Sequence, residues 1–292
     1  TTPRPERPRR GAELELHIDS LAQGGRGVAR TDGGFVIFVA GAVPGDRVRA
    51  RVGKSKRSYA EASAIELLDA APERIPDVCI HGGEPCPGAA WQGLPYALQL
   101  EHKAQQVKEA LVRLGGFEDP PLEEIVPAVA EWRYRNKLEY SFGADDGPGI
   151  PLGFHARGRW DTVVDVEDCH LASEANSAAR NAVAAWAREH RPPAGALRNL
   201  IVREGRRTGQ IQTRLVTSSA EIPEPPTDLH TVVAEQSGGT DGPTGVLGEE
   251  FLRERLGDLD LRVSPFAFLQ TNTEMAERLY GLAREAAALT GA

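Results

Sequence analysis

Arg47-Val48-Arg49-Ala50-Arg51-Val52 carries the clearest strand signal in the chain. An arginine stands at every odd position and a small apolar residue at every even one. A period of two sends the two sets to opposite faces of a β-strand. One face then meets a core, and the other carries three guanidinium groups outward. The neighbouring segments fit the same scheme. Glu13 to Ile18 alternates polar and apolar, Phe35 to Ala40 is an apolar run after the turn Asp32-Gly33-Gly34, and Ala60 to Leu68 closes the set. Short strands at this spacing, with turn signals between them, predict a small barrel over residues 11–70. Gly24-Gly25-Arg26-Gly27 lacks the strand–turn–helix setting of a phosphate loop and reads as a glycine turn between barrel strands.

The composition bounds the rest. The chain has 292 residues, 40% hydrophobic and 26% charged, enough to bury a core in more than one domain. No apolar run approaches the roughly 20 residues of a membrane span. Residues 1–10 are rich in Pro and Arg without an apolar core, so they read as a flexible basic tail and not a secretory signal. These features predict a cytoplasmic protein with no membrane partner. Net charge is −8, but residues 1–60 carry twelve Lys/Arg against six Asp/Glu. A basic end on an acidic body predicts a localised contact with a polyanion. Three cysteines without an export signal argue against a disulfide framework and leave free thiols or metal ligands.

Beyond the barrel, residues 70–95 are irregular and rich in Gly and Pro, and hold Cys79 and Cys86. Leu100, Ala104, Val107, Leu111 and Leu114 recur at helical spacing, and Gly115-Gly116 stops that helix; its stripe reads as core. Strands are predicted at Lys137–Gly143, Thr162–Val166, Asn199–Arg203, Gln210–Val216 and Leu259–Val263. Ser173 is placed to cap a helix running through Trp186, ahead of Pro192-Pro193. Residues 218–228 read as a Pro-rich loop and 236–248 as a Gly-rich hairpin tip. A last helix starts near Asn272, with Met275, Leu279, Leu282, Ala286 and Leu289 on one face, and ends at Thr290-Gly291.

Two kinds of chemistry are visible. Thiols on loops suit zinc or iron–sulfur ligation. Cys79, Cys86 and Cys169 are one short of a closed set, and His81 and His170 are the candidates to complete it. Trp132-Arg133-Tyr134-Arg135-Asn136-Lys137 interleaves aromatics with cations, a composition able to clamp phosphate and stack on bases. Gly153-Phe154-His155, with Arg157 and Arg159, forms a second basic and aromatic patch.

Taken in order, these segments resemble the RNA uracil-5-methyltransferases of the TrmA/RumA type. The opening section resembles a TRAM domain through Gly24-Gly25-Arg26-Gly27-Val28-Ala29-Arg30, Phe35-Val36-Ile37-Phe38-Val39 and Val43-Pro44-Gly45-Asp46. Trp91-Gln92, Leu94-Pro95-Tyr96, Gln99-Leu100 and Lys103 resemble the segment after that family's cysteine cluster. Trp132 to Lys137, Leu152-Gly153-Phe154-His155 and the Asp165–Leu171 stretch come next. Ser264-Pro265-Phe266-Ala267-Phe268-Leu269-Gln270-Thr271-Asn272 is similar to the S-P-x-x-F-x-Q-x-N lead-in to the cofactor domain.

The resemblance implies a fold, a cofactor and a set of roles. The fold is multidomain: an OB-like TRAM barrel at 11–70 that binds RNA, a central α+β domain at 71–262 holding the cysteine loop, and the start of a Rossmann-like α/β methyltransferase domain at 263–292. The 96–115 helix is expected to pack on that catalytic domain. A cysteine thiolate adds to uracil C6, C5 takes the methyl of S-adenosylmethionine, and a base removes the C5 proton. The target base is flipped out of structured RNA, ribosomal or transfer. Gln270 matches a cofactor-contacting glutamine. Cys79, Cys86 and Cys169 match three of four ligands of a 4Fe–4S cluster, with Ala89 at the fourth position. A cluster with a non-cysteine ligand, a three-iron form and a lost cluster all stay open. The RNA contacts expected are Arg47, Arg49, Arg51, Lys54, Lys56, Arg133, Arg135, Lys137 and His155. The nucleophile, base and Gly-rich cofactor loop fall outside the matching positions, so the chain alone is expected to be inactive: a monomeric RNA-recognition portion of such an enzyme. The alternative is a stand-alone RNA-binding protein without catalysis.

Overall fold

The computed structural model describes residues 6–81, 83–145, 149–156, 159–218, 221–226, 229–235 and 244–288. Arg157, Leu289 to Gly291, most of the 236–248 hairpin tip and parts of the 218–228 loop lie outside them. The chain divides into two compact units, 1–127 and 128–292. The division falls within the 71–262 stretch, so the cysteine loop and the helix after it belong to the first unit. No helix among the described residues is long and apolar enough to cross a membrane.

The first unit opens with β1 (Glu13–His17), β2 (Ser20–Leu21), β3 (Gly27–Arg30), β4 (Val36–Ala40), β5 (Arg47–Ser55) and β6 (Tyr59–Asp69). They form one sheet in the order β1-β5-β6-β4-β3-β2. Its two edges, β1 and β2, are consecutive pieces of one segment bent at Ile18. The Ile18 and Asp19 amides donate to the Asp46 and Val28 carbonyls, 2.9 and 2.8 Å away, which carries the pairing around the bend. The sheet thus closes on itself and leaves no free edge. Val48, Ala50 and Val52 point inward with Leu16, Ile18, Ile37, Val39 and Ala60, as the alternation requires. Residues 7–10, read from sequence as tail, are engaged here: Arg7 Nε donates to Ser55 Oγ at 2.9 Å.

Buried Asp46 ties the barrel to the segment after it. Its carboxylate accepts from the Val43 amide (2.8 Å), the Ala71 amide (3.0 Å) and the Arg74 guanidinium (2.5 Å). That segment forms a two-stranded ribbon, β7 (Ile80–His81) and β8 (Glu84–Pro85), then helix α1 (Tyr96–Arg113). The helix lies where its spacing predicts, but none of its residues is buried. Val107 is half exposed, and Leu114, just past its end, is 88% exposed. The stripe is therefore not core within this unit, which corrects the sequence reading. Periodicity marks the apolar face of a helix, but not whether anything covers it.

The second unit has a seven-stranded sheet in the order β11-β10-β9-β12-β13-β14-β15. Its strands are β9 (Lys137–Phe142), β10 (Leu152–His155), β11 (Val163–Asp165), β12 (Leu197–Glu204), β13 (Ile211–Thr217), β14 (His230–Glu235) and β15 (Gly245–Leu247). Helix α2 (Glu174–His190) buries Ala179, Val183, Ala184, Trp186 and Ala187 against Leu138, Tyr140, Leu200, Val202 and Leu215. Ser173 caps it as predicted, its hydroxyl accepting from the Asn176 amide at 3.1 Å. A hairpin of β16 (Leu252–Leu256) and β17 (Leu259–Val263) leads to α3 (Thr273–Ala286), capped by Asn272 onto the Met275 amide at 3.0 Å. Leu279 and Leu282 on α3 stay about half exposed.

Candidate functional site

The arginines of β5 face outward, but they do not form a bare cationic strip. Register sets Glu13 opposite Arg51, Glu15 opposite Arg49, Glu66 opposite Arg49 and Asp69 opposite Arg47. Arg47 donates to Asp69 at 2.6 Å, Arg51 to Glu13 at 2.8 Å, and Arg49 to Glu66. The Asp69 carboxylate, followed by Glu15, holds the Arg47 proton more tightly than usual. Three cations thus share their face with four carboxylates, and the local field is compensated.

The cationic surface lies at the tip of the β5–β6 hairpin. Lys54, Lys56 and Arg57 are exposed there; Glu61 stands opposite Lys54 in register but is paired with Arg26 at 3.0 Å, and none of the three cations is in an ion pair among the described residues. Arg7 joins them through its bonds to Ser55. Tyr59 leaves the same turn and meets Phe38 edge-to-face, centroids 5.5 Å apart. The sequence reading included Lys54 and Lys56 but missed Arg57 and Arg7; only the hairpin and the docked segment 7–10 bring all four together.

In the second unit the 132–137 motif is largely used for scaffolding. Arg133 has a left-handed backbone, φ 58°. Its guanidinium forks onto both oxygens of Asp168, at 2.5 and 2.7 Å, and reaches the Cys169 and Ala172 carbonyls at 3.2 Å. This hydrogen bonding, aided by the Ser177 hydroxyl, holds the Asp168 carboxyl down at about 2. Arg133 is therefore already committed to Asp168. Lys137 sits beside Arg203 and Arg214; burial first, then the Arg203 charge, lowers its proton affinity. His155 is exposed on β10, paired in register with Val163, and His170 lies 3.6 Å from Asp168.

These side chains shape the 264–272 segment. Asn136 is buried; its amide Nδ2 donates to the Gln270 carbonyl at 2.8 Å and to Thr273 Oγ1 at 2.9 Å, and its backbone N–H donates to the Thr271 carbonyl at 2.8 Å. Arg203 donates to the Ser264 carbonyl at 3.0 Å and to Ala267, and Arg214 to the Pro265 carbonyl at 2.9 Å. Arg214 also lies over the Phe266 ring, 4.8 Å from its centroid. Beneath, buried Glu254 accepts from the Arg206 and Arg207 amides and from Thr273 Oγ1, at 2.9 to 3.0 Å. The segment's backbone is thus fixed at several points, while the Gln270 side chain is half buried with no hydrogen bond of its own among the described residues. Phe268, two residues earlier, is 82% exposed.

Of the cysteine set, Cys79 and Cys86 converge with His81: their ligand atoms all lie within 4.8 Å of one another. Cys169 belongs to the second unit, and Ala89, the expected fourth position, offers no ligand atom.

Comparison with known proteins adds identity to this geometry. Residues 7–65 match the TRAM domain family. An uncharacterized RNA methyltransferase of Chlorobaculum tepidum is 34% identical over 93% of this chain and 64% of its own length. Another, of Bacteroides thetaiotaomicron, is 32% identical over 93% of this chain and 68% of its own. The solved tRNA (uracil-54, C5)-methyltransferase of Pyrococcus abyssi, in complex with S-adenosyl-L-homocysteine, aligns at TM-score 0.72 and 25% identity over 93% of this chain and 65% of that one. The chain thus spans about 65% of the length of such relatives.

Proposed function

Because this chain belongs to the RNA uracil-5-methyltransferase family of the TrmA/RumA type, we propose that it supplies RNA recognition to an S-adenosylmethionine-dependent methylation of uridine in structured ribosomal or transfer RNA. The proposal extends to a cytoplasmic monomer. One observation carries it: Lys54, Lys56, Arg57 and Arg7 gather on the hairpin tip of a TRAM barrel, and none of them is in an ion pair among the described residues, Glu61 opposite Lys54 being paired with Arg26. Phosphate oxygens are the partners such a surface lacks, and releasing counterions from RNA would drive the contact. Arg47, Arg49 and Arg51 border this surface as a compensated flank. Residues 263–292 are proposed as the lead-in to the Rossmann-like methyl-donor domain.

S-adenosylmethionine supplies an electrophilic methyl group when bound. Among the described residues, Gln270 is the one proposed to contact it. Asn136 would hold that residue's backbone in place, and Arg203 and Arg214 the 264–267 backbone that leads to it. The half-buried side-chain amide of Gln270 fits this role, since it can donate and accept.

Filter binding to a structured RNA over a salt series tests the proposal. Lys54→Glu, Lys56→Glu and Arg57→Glu together should weaken binding and reduce the log–log salt slope by about 2 to 3, at roughly 0.7 to 0.9 for each phosphate no longer neutralised. Arg47→Gln should change the slope by less than about 0.5. An unchanged slope in the triple variant would sink the proposal.

A further inference from the structure

The cysteine ribbon carries an inference that does not depend on RNA or on methyl transfer. Cys79 directly precedes β7 and His81 ends it, two residues apart, and extended backbone of that length sends their side chains to the same face. The ribbon register pairs Ile80 with Pro85 and His81 with Glu84. The next pair in that register is Cys79 with Cys86, and the Cys86 amide donates to the Cys79 carbonyl at 2.9 Å. Two thiols and an imidazole are therefore delivered to one side of a two-stranded ribbon. Cys79 Sγ stands 3.0 Å from His81 Nε2.

The two thiols sit in a prepared, dry setting. Cys79 and Cys86 are only 1% and 4% exposed. Buried Gln92 clamps Cys79 from both sides, accepting from its amide at 2.7 Å and donating to its carbonyl at 2.9 Å. The Trp91-Gln92 pair downstream of the cysteines thus fixes the first of them.

The ligand set does not match a four-cysteine 4Fe–4S cluster. Ala89 removes one ligand. In a cubane each thiolate binds its own iron, so the thiolates stand apart, whereas here all three ligand atoms lie within 4.8 Å. Ligands of one tetrahedral zinc ion, at about 2.3 Å for sulfur and about 2.0 Å for nitrogen, are separated by about 3.8 Å (S to S) and about 3.5 Å (S to N). The three ligand atoms, all within 4.8 Å of one another, are close enough to share one such ion, with Cys79 Sγ and His81 Nε2 moving apart from 3.0 Å as it enters. We propose that Cys79, His81 and Cys86 hold a single zinc-type ion, with His81 contributing the imidazole the family's cysteine set lacks. The ion would staple a Gly- and Pro-rich segment that has little regular structure of its own.

Metal analysis of the full chain, as purified and after addition of zinc alone, tests this. One zinc per chain is expected, with Cys79 and Cys86 protected from alkylation until a chelator is added, as read by mass spectrometry. Cobalt in place of zinc should give thiolate-to-cobalt charge-transfer and tetrahedral ligand-field bands. His81→Ala should weaken zinc binding by about 100-fold or more, and His81→Cys should restore it. The alkylation measurement needs no variant, so it decides even if His81→Ala folds poorly. A brown protein with several irons and acid-labile sulfide would overturn the proposal. So would a Cys79–Cys86 disulfide without metal, or zinc that leaves both thiols open to alkylation.

Discussion

Replacing Asn136 with alanine should loosen one defined part of the second unit. The side chain makes two donor bonds, at 2.8 Å to the Gln270 carbonyl and 2.9 Å to Thr273 Oγ1. Each is worth about 1 kcal/mol net, and a partly buried carbonyl left without a donor adds roughly another 1 kcal/mol. Thr273 keeps its bond to Glu254 at 3.0 Å, so its hydroxyl is not orphaned. The expected loss is about 2 to 3 kcal/mol, or a Tm lower by roughly 4 to 12 °C for a unit of this size. Hydrogen exchange read by mass spectrometry locates the effect. Amides of 270–276 should exchange about 30- to 150-fold faster, while those of β9 beyond Leu138 change little. Asn199→Ala is the control. Its amide bonds are long, 3.4 and 3.3 Å, so it should cost less than about 1 kcal/mol. If Asn136→Ala costs no more than Asn199→Ala and leaves 270–276 protected, Asn136 does not anchor this segment.

Further outcomes rest on single side chains. The Asp168 carboxyl is depressed to about 2 by Arg133, so its stabilisation is complete above the ordinary value of about 3.8 and disappears as pH falls from there toward 2. Because this ion pair is partly exposed, Asp168→Asn should remove no more than about 1 kcal/mol of that pH-dependent stability, measured by urea unfolding at pH 5 and pH 2.5. At Gly153 an added Cβ would stand 1.9 Å from the Val164 carbonyl oxygen. Gly153→Ala should therefore cost about 3 kcal/mol or more and disrupt the β10–β11 pairing; a loss under about 1 kcal/mol would show that the backbone yields there.

The lack of a side chain at Gly153 also explains its place in the Leu152–His155 motif. Buried Arg180 from α2 donates to the Leu152 carbonyl and to Asp165, and Arg188 reaches Asp165 at 2.8 Å. These bonds draw β10 and β11 close together. The motif reads in sequence as a basic and aromatic patch, yet much of it is packing.

What the sequence determined by itself is local. Period-two alternation at 47–52 set which side chains face the barrel core. Ser173 and Asn272 marked helix starts, because a cap is a contact between residues three apart. The ordered motifs were sufficient to expect the family. The tertiary structure decided whatever depends on partners far along the chain. Cross-strand register placed Glu13, Glu15, Glu66 and Asp69 among the β5 arginines and moved the exposed positive charge to Lys54, Lys56, Arg57 and Arg7. Folding also joined Asn136 to Gln270, 134 residues apart, and set Arg133 on Asp168. It set His81 beside the two thiols of the ribbon and His170 beside a carboxylate. The physical reason is common to all of these. Periodicity fixes the direction a side chain takes, but charge compensation, burial and ligation depend on the atoms it meets there, and those come from distant segments of the chain.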